Sequence, residues 1–150
     1  MSTNIHIQAE DFDVAEEADA LMQGRLQTGA LATFIGYVRA DGVLTALTLE
    51  HYPGMTEHEI ARIAGEAQAR WDLTGLTIIH RIGRLKIGER IVLVAVASPH
   101  RAAALEACEF LIDYLKTRAP FWKQEERGGT VGWVEAKTSD DAAAERWRKS

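Results

Sequence analysis

The sequence predicts an α+β domain, one unit across residues 1–150. Segments rich in β-branched and alternating apolar residues recur at 30–38, 43–51, 76–82 and 90–97, as half-buried strands do. Segments opening near Asp13, Thr56 and Ser98 instead repeat apolar residues every three or four positions, as a helix with one buried face does. The two kinds are segregated along the chain, with no steady strand–helix–strand rhythm of a parallel sheet.

Taken in order, Ile5-His6-Ile7 is a short strand. Asp13 and Glu16 open a helix carrying Val14, Ala18, Leu21 and Met22, closed by Gly24 or Gly29. Residues 30–38 and 43–51 flank the turn signal Arg39-Ala40-Asp41-Gly42, so they should pair as an antiparallel hairpin with Arg39 at its bend. Pro53-Gly54 breaks the second strand. Thr56-Glu57-His58-Glu59 then reads as a capping box, with Met55 and Ile60 as its hydrophobic staple. Ile60, Ile63, Ala64, Ala67 and Trp71 form the buried stripe of a helix that reads as purely structural.

Residues 76–82 and 90–97 are two further strands, joined through 83–89. Ser98 caps the next helix, Pro99 takes its first position, and Leu105, Cys108, Leu111, Ile112 and Leu115 form its stripe. Pro120 ends that helix near Arg118 and leaves Phe121-Trp122-Lys123 extended. Gly128-Gly129 is a hairpin turn, with the return strand over 130–137. Ser139 caps a last helix that has Asp140 and Asp141 at its start and Arg146, Arg148 and Lys149 at its end, matching the dipole.

With 47% hydrophobic and 26% charged residues, the chain has the composition of an ordinary globular protein. Its net charge of -5 argues against a general nucleic-acid binder, so any anion site must be local. The lone Cys108 excludes an internal disulfide and falls on an apolar stripe, which favours a core residue over a nucleophile. The five histidines lack the i, i+4 spacing of a zinc motif, so no metal is expected; no cofactor is expected either. Residues 1–10 lack the character of a signal peptide, and no run approaches a membrane span; a cytoplasmic protein is the expectation.

The chemistry concentrates at the two ends of the helix after Ser98. His100 and Arg101 place cation-capable groups in its first turn, where the dipole already favours an anion, and phosphate is the commonest choice. At the other end, Lys116 and Lys123 flank the apolar run Ala119-Pro120-Phe121-Trp122, which would wall a partly dry pocket and strengthen charge interactions inside it. For Lys116 and Arg118 the simpler reading is complementation of the negative helix end. That reading leaves His100-Arg101 unexplained.

The blocks Phe34-Ile35-Gly36-Tyr37-Val38-Arg39, Leu47 to Met55, His80-Arg81-Ile82-Gly83, Pro99-His100-Arg101 and Asp113 to Lys123 resemble, in order, the large catalytic subunit family of molybdopterin synthase. The resemblance implies an α/β hammerhead fold and a central homodimer, flanked by two small ubiquitin-like sulfur-carrier subunits in a heterotetramer. Each carrier would bring a Gly-Gly thiocarboxylate tail, and two sulfurs would pass to cyclic pyranopterin monophosphate to make the dithiolene of molybdopterin. It further implies substrate contacts at Tyr37, Val38, Arg39, His100, Arg101, Lys116, Lys123, Gln124 and Glu125, with Lys116 and Lys123 catalytic and His100-Arg101 supplied by the other protomer. A carrier that brings activated sulfur suits a chain with no reactive cysteine of its own.

Two departures stand out: Tyr37 occupies a position where many relatives carry lysine, and the bend after Arg39 is short. The residues also leave open a non-catalytic phosphometabolite or carrier-tail binder, and a Schiff-base enzyme using Lys116.

Overall fold

The computed structural model describes residues 1–134 and 138–148. The strands are β1 (Ser2–Gln8), β2 (Ala30–Tyr37), β3 (Leu44–His51), β4 (Gly75–Arg81), β5 (Gly83–Lys86), β6 (Arg90–Ser98), β7 (Phe121–Arg127) and β8 (Thr130–Val134). The helices are α1 (Val14–Met22), α2 (Met55–Arg70), α3 (Arg101–Thr117) and α4 (Thr138–Glu145). One four-stranded sheet runs β1-β4-β6-β2 and the other β5-β3-β7-β8, so the α+β expectation holds. β1 and β4 are parallel; every other pairing is antiparallel.

The first sheet holds the main core. Alternate residues of its central strands, Leu76 and Ile78 on β4 and Val92, Val94 and Val96 on β6, face α2 and α3. Ile60, Ile63, Ala64 and Ala67 come from α2; Ala104, Ala107, Phe110, Leu111 and Tyr114 come from α3. The opposite residues of the same strands, Ile79, Leu93, Ala95 and Ala97, pack with Phe12 and Leu21 beside α1. Both faces of the central strands are covered, which is why β6 reads as a continuous apolar run.

The expected hairpin between residues 30–38 and 43–51 does not form. β2 pairs with β6 in the first sheet, while β3 lies between β5 and β7 in the second. Val38 explains the departure: its N–H bonds to Glu89 O at 2.9 Å and its carbonyl accepts from Gly88 N at 2.8 Å. Its side chain is buried with Leu44, Leu47, Leu49 and Leu85, so the chain is pinned while crossing from one sheet to the other. The strand β5 was hidden in the expected 83–89 connection. Gly83, at φ 90°, lets the chain leave β4 and enter the second sheet directly.

Local signals held best where one side chain decides. Asp13 caps α1 by accepting from Glu16 N at 3.0 Å. Gly128 and Gly129 lie at φ 53° and 86° and close the two-residue turn between β7 and β8. Of the return strand expected over 130–137, Thr130–Val134 is seen; 135–137 lie outside the described residues. α4 begins at Thr138, so the expected cap Ser139 is already its second residue; the side chains of Ser139, Asp140 and Asp141, and the whole of Lys149, lie outside the described residues.

Three helix-end assignments are corrected. The cap of α2 is Gly54, with Glu57 Oε1 accepting from Gly54 N at 3.0 Å, two residues earlier than expected. Met55 is therefore the first helical residue, 58% exposed, and staples nothing. α3 begins at Arg101 with His100 as its cap, because Ser98 still belongs to β6; the Ser98 hydroxyl donates to Asp72 O at 2.7 Å and accepts from His100 N at 3.2 Å. Leu105 is 63% exposed, and the stripe it was expected to share runs instead through Ala104, Ala107, Cys108, Leu111 and Leu115.

Candidate functional site

A cavity of about 260 Å³ opens where the C-terminal end of α3 meets the inner face of the second sheet. Lys116, in the last turn of α3, and Lys123, third residue of β7, both line it. Lys123 pairs with Leu49 on β3 and with Val134 on β8, and these neighbours also line the cavity, so its direction follows from sheet alternation. Ile112, Leu115, Ala119 and Phe121 supply an apolar wall. Of the anticipated wall, Trp122 departs: strand alternation turns it outward, against Tyr52 at 4.9 Å and Trp133 at 5.7 Å.

The corner between the two lysines is tied down by Thr56. This fully buried hydroxyl donates to Pro120 O at 2.9 Å and accepts from Tyr52 N at 3.0 Å. One side chain at the start of α2 thus joins the exit of β3 to the α3–β7 connection. The helix expected to be purely structural sets the spacing of the site.

The remaining expected site residues are dispersed. Tyr37, at the end of β2, reaches the cavity rim and is 53% exposed. Val38 is buried with both backbone groups engaged, and Arg39 follows it as an exposed side chain on the crossing. Gln124 lies opposite Thr48 and Trp133 in the second sheet. Glu125 is ion-paired to Arg127 at 2.9 Å. His100 and Arg101 sit at the far end of α3, roughly 22 Å of helix from Lys116. Within one chain they do not join the lysines.

His80, on β4, was not expected in the site and lines the cavity. It stacks on Phe121 with ring centroids 3.8 Å apart and planes 17° from parallel. Burial, opposed in part by the Arg81 carbonyl and reinforced by Lys116 and His51, pushes its pKa down to about 4. The available signal was its position: a polar residue ending the buried run Leu76 to Ile79. Cys108 is buried away from the cavity against Val94 O, and burial raises its thiol to about 11, so it is no nucleophile.

Among the described residues no group of His, Cys, Asp and Glu is placed to hold a metal ion. No helix among them is long and apolar enough to cross a membrane. Among the described residues the cavity lining carries two lysines and no carboxylate, which suits an anionic guest with an apolar or aromatic body.

The MoaE protein family model matches residues 7–118. A molybdopterin synthase catalytic subunit of Mesorhizobium japonicum is 58% identical over 153 aligned positions, covering 100% of this chain and 96% of its own. The structure of a molybdopterin biosynthesis MoaE protein from Burkholderia ambifaria superposes with a TM-score of 0.85 at 47% identity, covering 97% of each chain. A Helicobacter pylori structure, a complex of subunits 1 and 2 of molybdopterin-converting factor, shares the fold with a TM-score of 0.71 at 23% identity, covering 90% of this chain and 91% of that one.

Proposed function

The chain belongs to the MoaE family of molybdopterin synthase catalytic subunits, enzymes of molybdenum cofactor biosynthesis, and from that premise we propose that its cavity transfers sulfur to cyclic pyranopterin monophosphate. The observation that carries this reading is the convergence of Lys116 and Lys123 on one apolar-walled cavity without a nucleophilic cysteine. Sulfur must then arrive already activated, as the C-terminal thiocarboxylate of a small ubiquitin-like carrier subunit. The whole chain acts as one catalytic domain, in the cytoplasm, as a homodimer flanked by two carriers in a heterotetramer.

The roles follow from charge. Attack by the thiocarboxylate sulfur on a carbonyl carbon of the pterin side chain gives a tetrahedral oxyanion joined to the carrier through an acyl–sulfur bond. Water then cleaves that bond, leaving the sulfur on the pterin as a thiolate and releasing the carrier as a carboxylate, while opening of the cyclic phosphate exposes further negative charge. Lys116 transfers the proton and stabilises that charge; Lys123 holds the carrier tail or the developing anion. Tyr37 at the rim and Arg39 on the crossing that follows, with His100 and Arg101 of the other protomer, hold phosphate and pterin. Val38, Gln124 and Glu125 shape the rim through backbone and sheet contacts. The distance of His100-Arg101 from the lysines within a chain supports their delivery in trans.

The test combines this chain, a thiocarboxylated carrier and cyclic pyranopterin monophosphate, with dithiolene product as readout. The natural sequence forms product, and Lys116→Ala is slowed about a hundredfold to ten-thousandfold with the complex still assembled. No product from the natural sequence in a stable complex, alongside an active control enzyme, overturns the proposal in favour of a binding module.

A further inference from the structure

We propose that His80 is a substrate-recognition residue, its Nε2 lone pair accepting a hydrogen bond from a ring N–H of the cyclic pyranopterin; the inference rests on the sulfur-transfer reading of the cavity. The imidazole is held from two directions. Its face lies on Phe121 at 3.8 Å, which fixes the ring plane. Its Nδ1 lies 2.9 Å from Arg81 O. A carbonyl only accepts, so Nδ1 carries the hydrogen and Nε2 carries the lone pair.

That lone pair has no hydrogen-bond partner among the described residues. None of their buried side-chain nitrogens or oxygens is sealed away without a partner either, so Nε2 is open, and the opening available to it is the cavity that His80 lines. The charged side chains facing the same space, Lys116 and Lys123, are donors only. Tyr37 brings a hydroxyl to the rim, and among the described residues no carboxylate is present in the lining.

The guest has two kinds of polar group. Phosphate and thiocarboxylate present acceptors, which the lysines meet. The fused ring presents N–H donors, which the lysines repel and an imidazole lone pair satisfies. Burial, reinforced by the charges of Lys116 and His51, keeps the ring neutral near pH 7, so the acceptor persists under working conditions. A buried acceptor built to meet an N–H discriminates strongly against guests lacking one, because the unmet group then has no partner.

Two variants separate recognition from packing. His80→Phe keeps an aromatic ring over Phe121 and removes the acceptor; His80→Gln restores an amide oxygen near the Nε2 position. With saturating thiocarboxylated carrier, His80→Phe should raise the KM for the cyclic precursor about tenfold or more. His80→Gln should recover most of that loss, and the affinity for carrier should stay unchanged. An unaltered KM in His80→Phe, or equal losses in both variants, overturns the proposal.

A second measurement needs no variant. The 15N resonance of His80 Nε2 in the natural protein should move upfield when cyclic pyranopterin monophosphate alone is added. A resonance unmoved at saturation, or moved only by carrier, overturns the proposal. Failure of the natural enzyme to make dithiolene would instead strike the sulfur-transfer reading itself, so the two failures are distinguishable.

Discussion

The two ends of α3 carry similar charge and very different surroundings. At the C-terminal end, Lys116 faces a walled cavity, with Lys123 across it and the intervening corner fixed by Thr56. At the N-terminal end, His100 and Arg101 are exposed, and the cap position lacks a side-chain cap bond. Yet that end is held as tightly in its backbone. Gly29 bonds to Ser98 O at 2.9 Å, and a Cβ on Gly29 would stand 2.3 Å from Pro99 O. One end closes on a cavity, and the other presents His100 and Arg101 on a rigid backbone, away from that cavity. On the proposed dimer, the two ends of this helix would belong to two different sites.

The sharpest way to break this comparison is to inactivate each end in a different chain. Arg101→Ala and Lys116→Ala should each lose about a hundredfold or more in sulfur transfer on their own. Co-refolded in equal amounts, they should recover about a quarter of the natural specific activity, since half the dimers are hybrid and each hybrid has one intact site. No recovery, in a mixture shown to exchange subunits, would mean that both ends act within one chain.

A smaller effect sharpens the account of the C-terminal end. Thr56→Val removes a fully buried hydroxyl bonded to Tyr52 N and Pro120 O and leaves both without it. Stability should fall by about 1–3 kcal/mol, measured by denaturant midpoint. Sulfur transfer should fall further than the folded fraction does, because the corner between the lysines loosens, and Thr56→Ser should restore both. The smallest effect belongs to the middle of α3. Cys108→Ala should leave turnover unchanged, since its thiol is buried and held up at about 11. A large loss of turnover in a folded Cys108→Ala enzyme would reopen thiol chemistry.

Much of this was legible in the chain because single residues decide it. The Asp13 cap, the Gly128-Gly129 turn and the end of α3 before Pro120 are local events, and each was read correctly. The meeting of Lys116 and Lys123 at one cavity was legible for the same reason, since they flank a proline that forces a corner. What escaped was non-local. The turn signal after Arg39 is genuine, but Val38 bonds to Gly88 and Glu89, and this pairing fifty residues away sends β3 into another sheet. β5 is only four residues long, too short to show a period, and exists because β3 offers it an edge. His80 escaped because its role depends on Phe121 and Lys116, which reach it only through the fold. Ser98 was misplaced because a capping residue and the last residue of a strand look alike until the strand's partners are known.

The pairing of β3 with β7 sets Leu49 opposite Lys123, and that of β1 with β4 sets Ser2 opposite Gly75, each joining positions more than seventy residues apart. Such a topology closes large loops before long-range contacts reward the closure, which places folding in the millisecond-to-second class of β-rich domains. It also fixes when, during synthesis, the protein can first bind anything. The walls of the cavity come from β2, β3, β4, β6, α3, β7 and β8, so a ribosome-bound chain that has emerged only through α3 has one of the two lysines and an incomplete wall. Ligand capture therefore begins only after the last strands have emerged, and a chain truncated before them cannot hold a guest in this cavity.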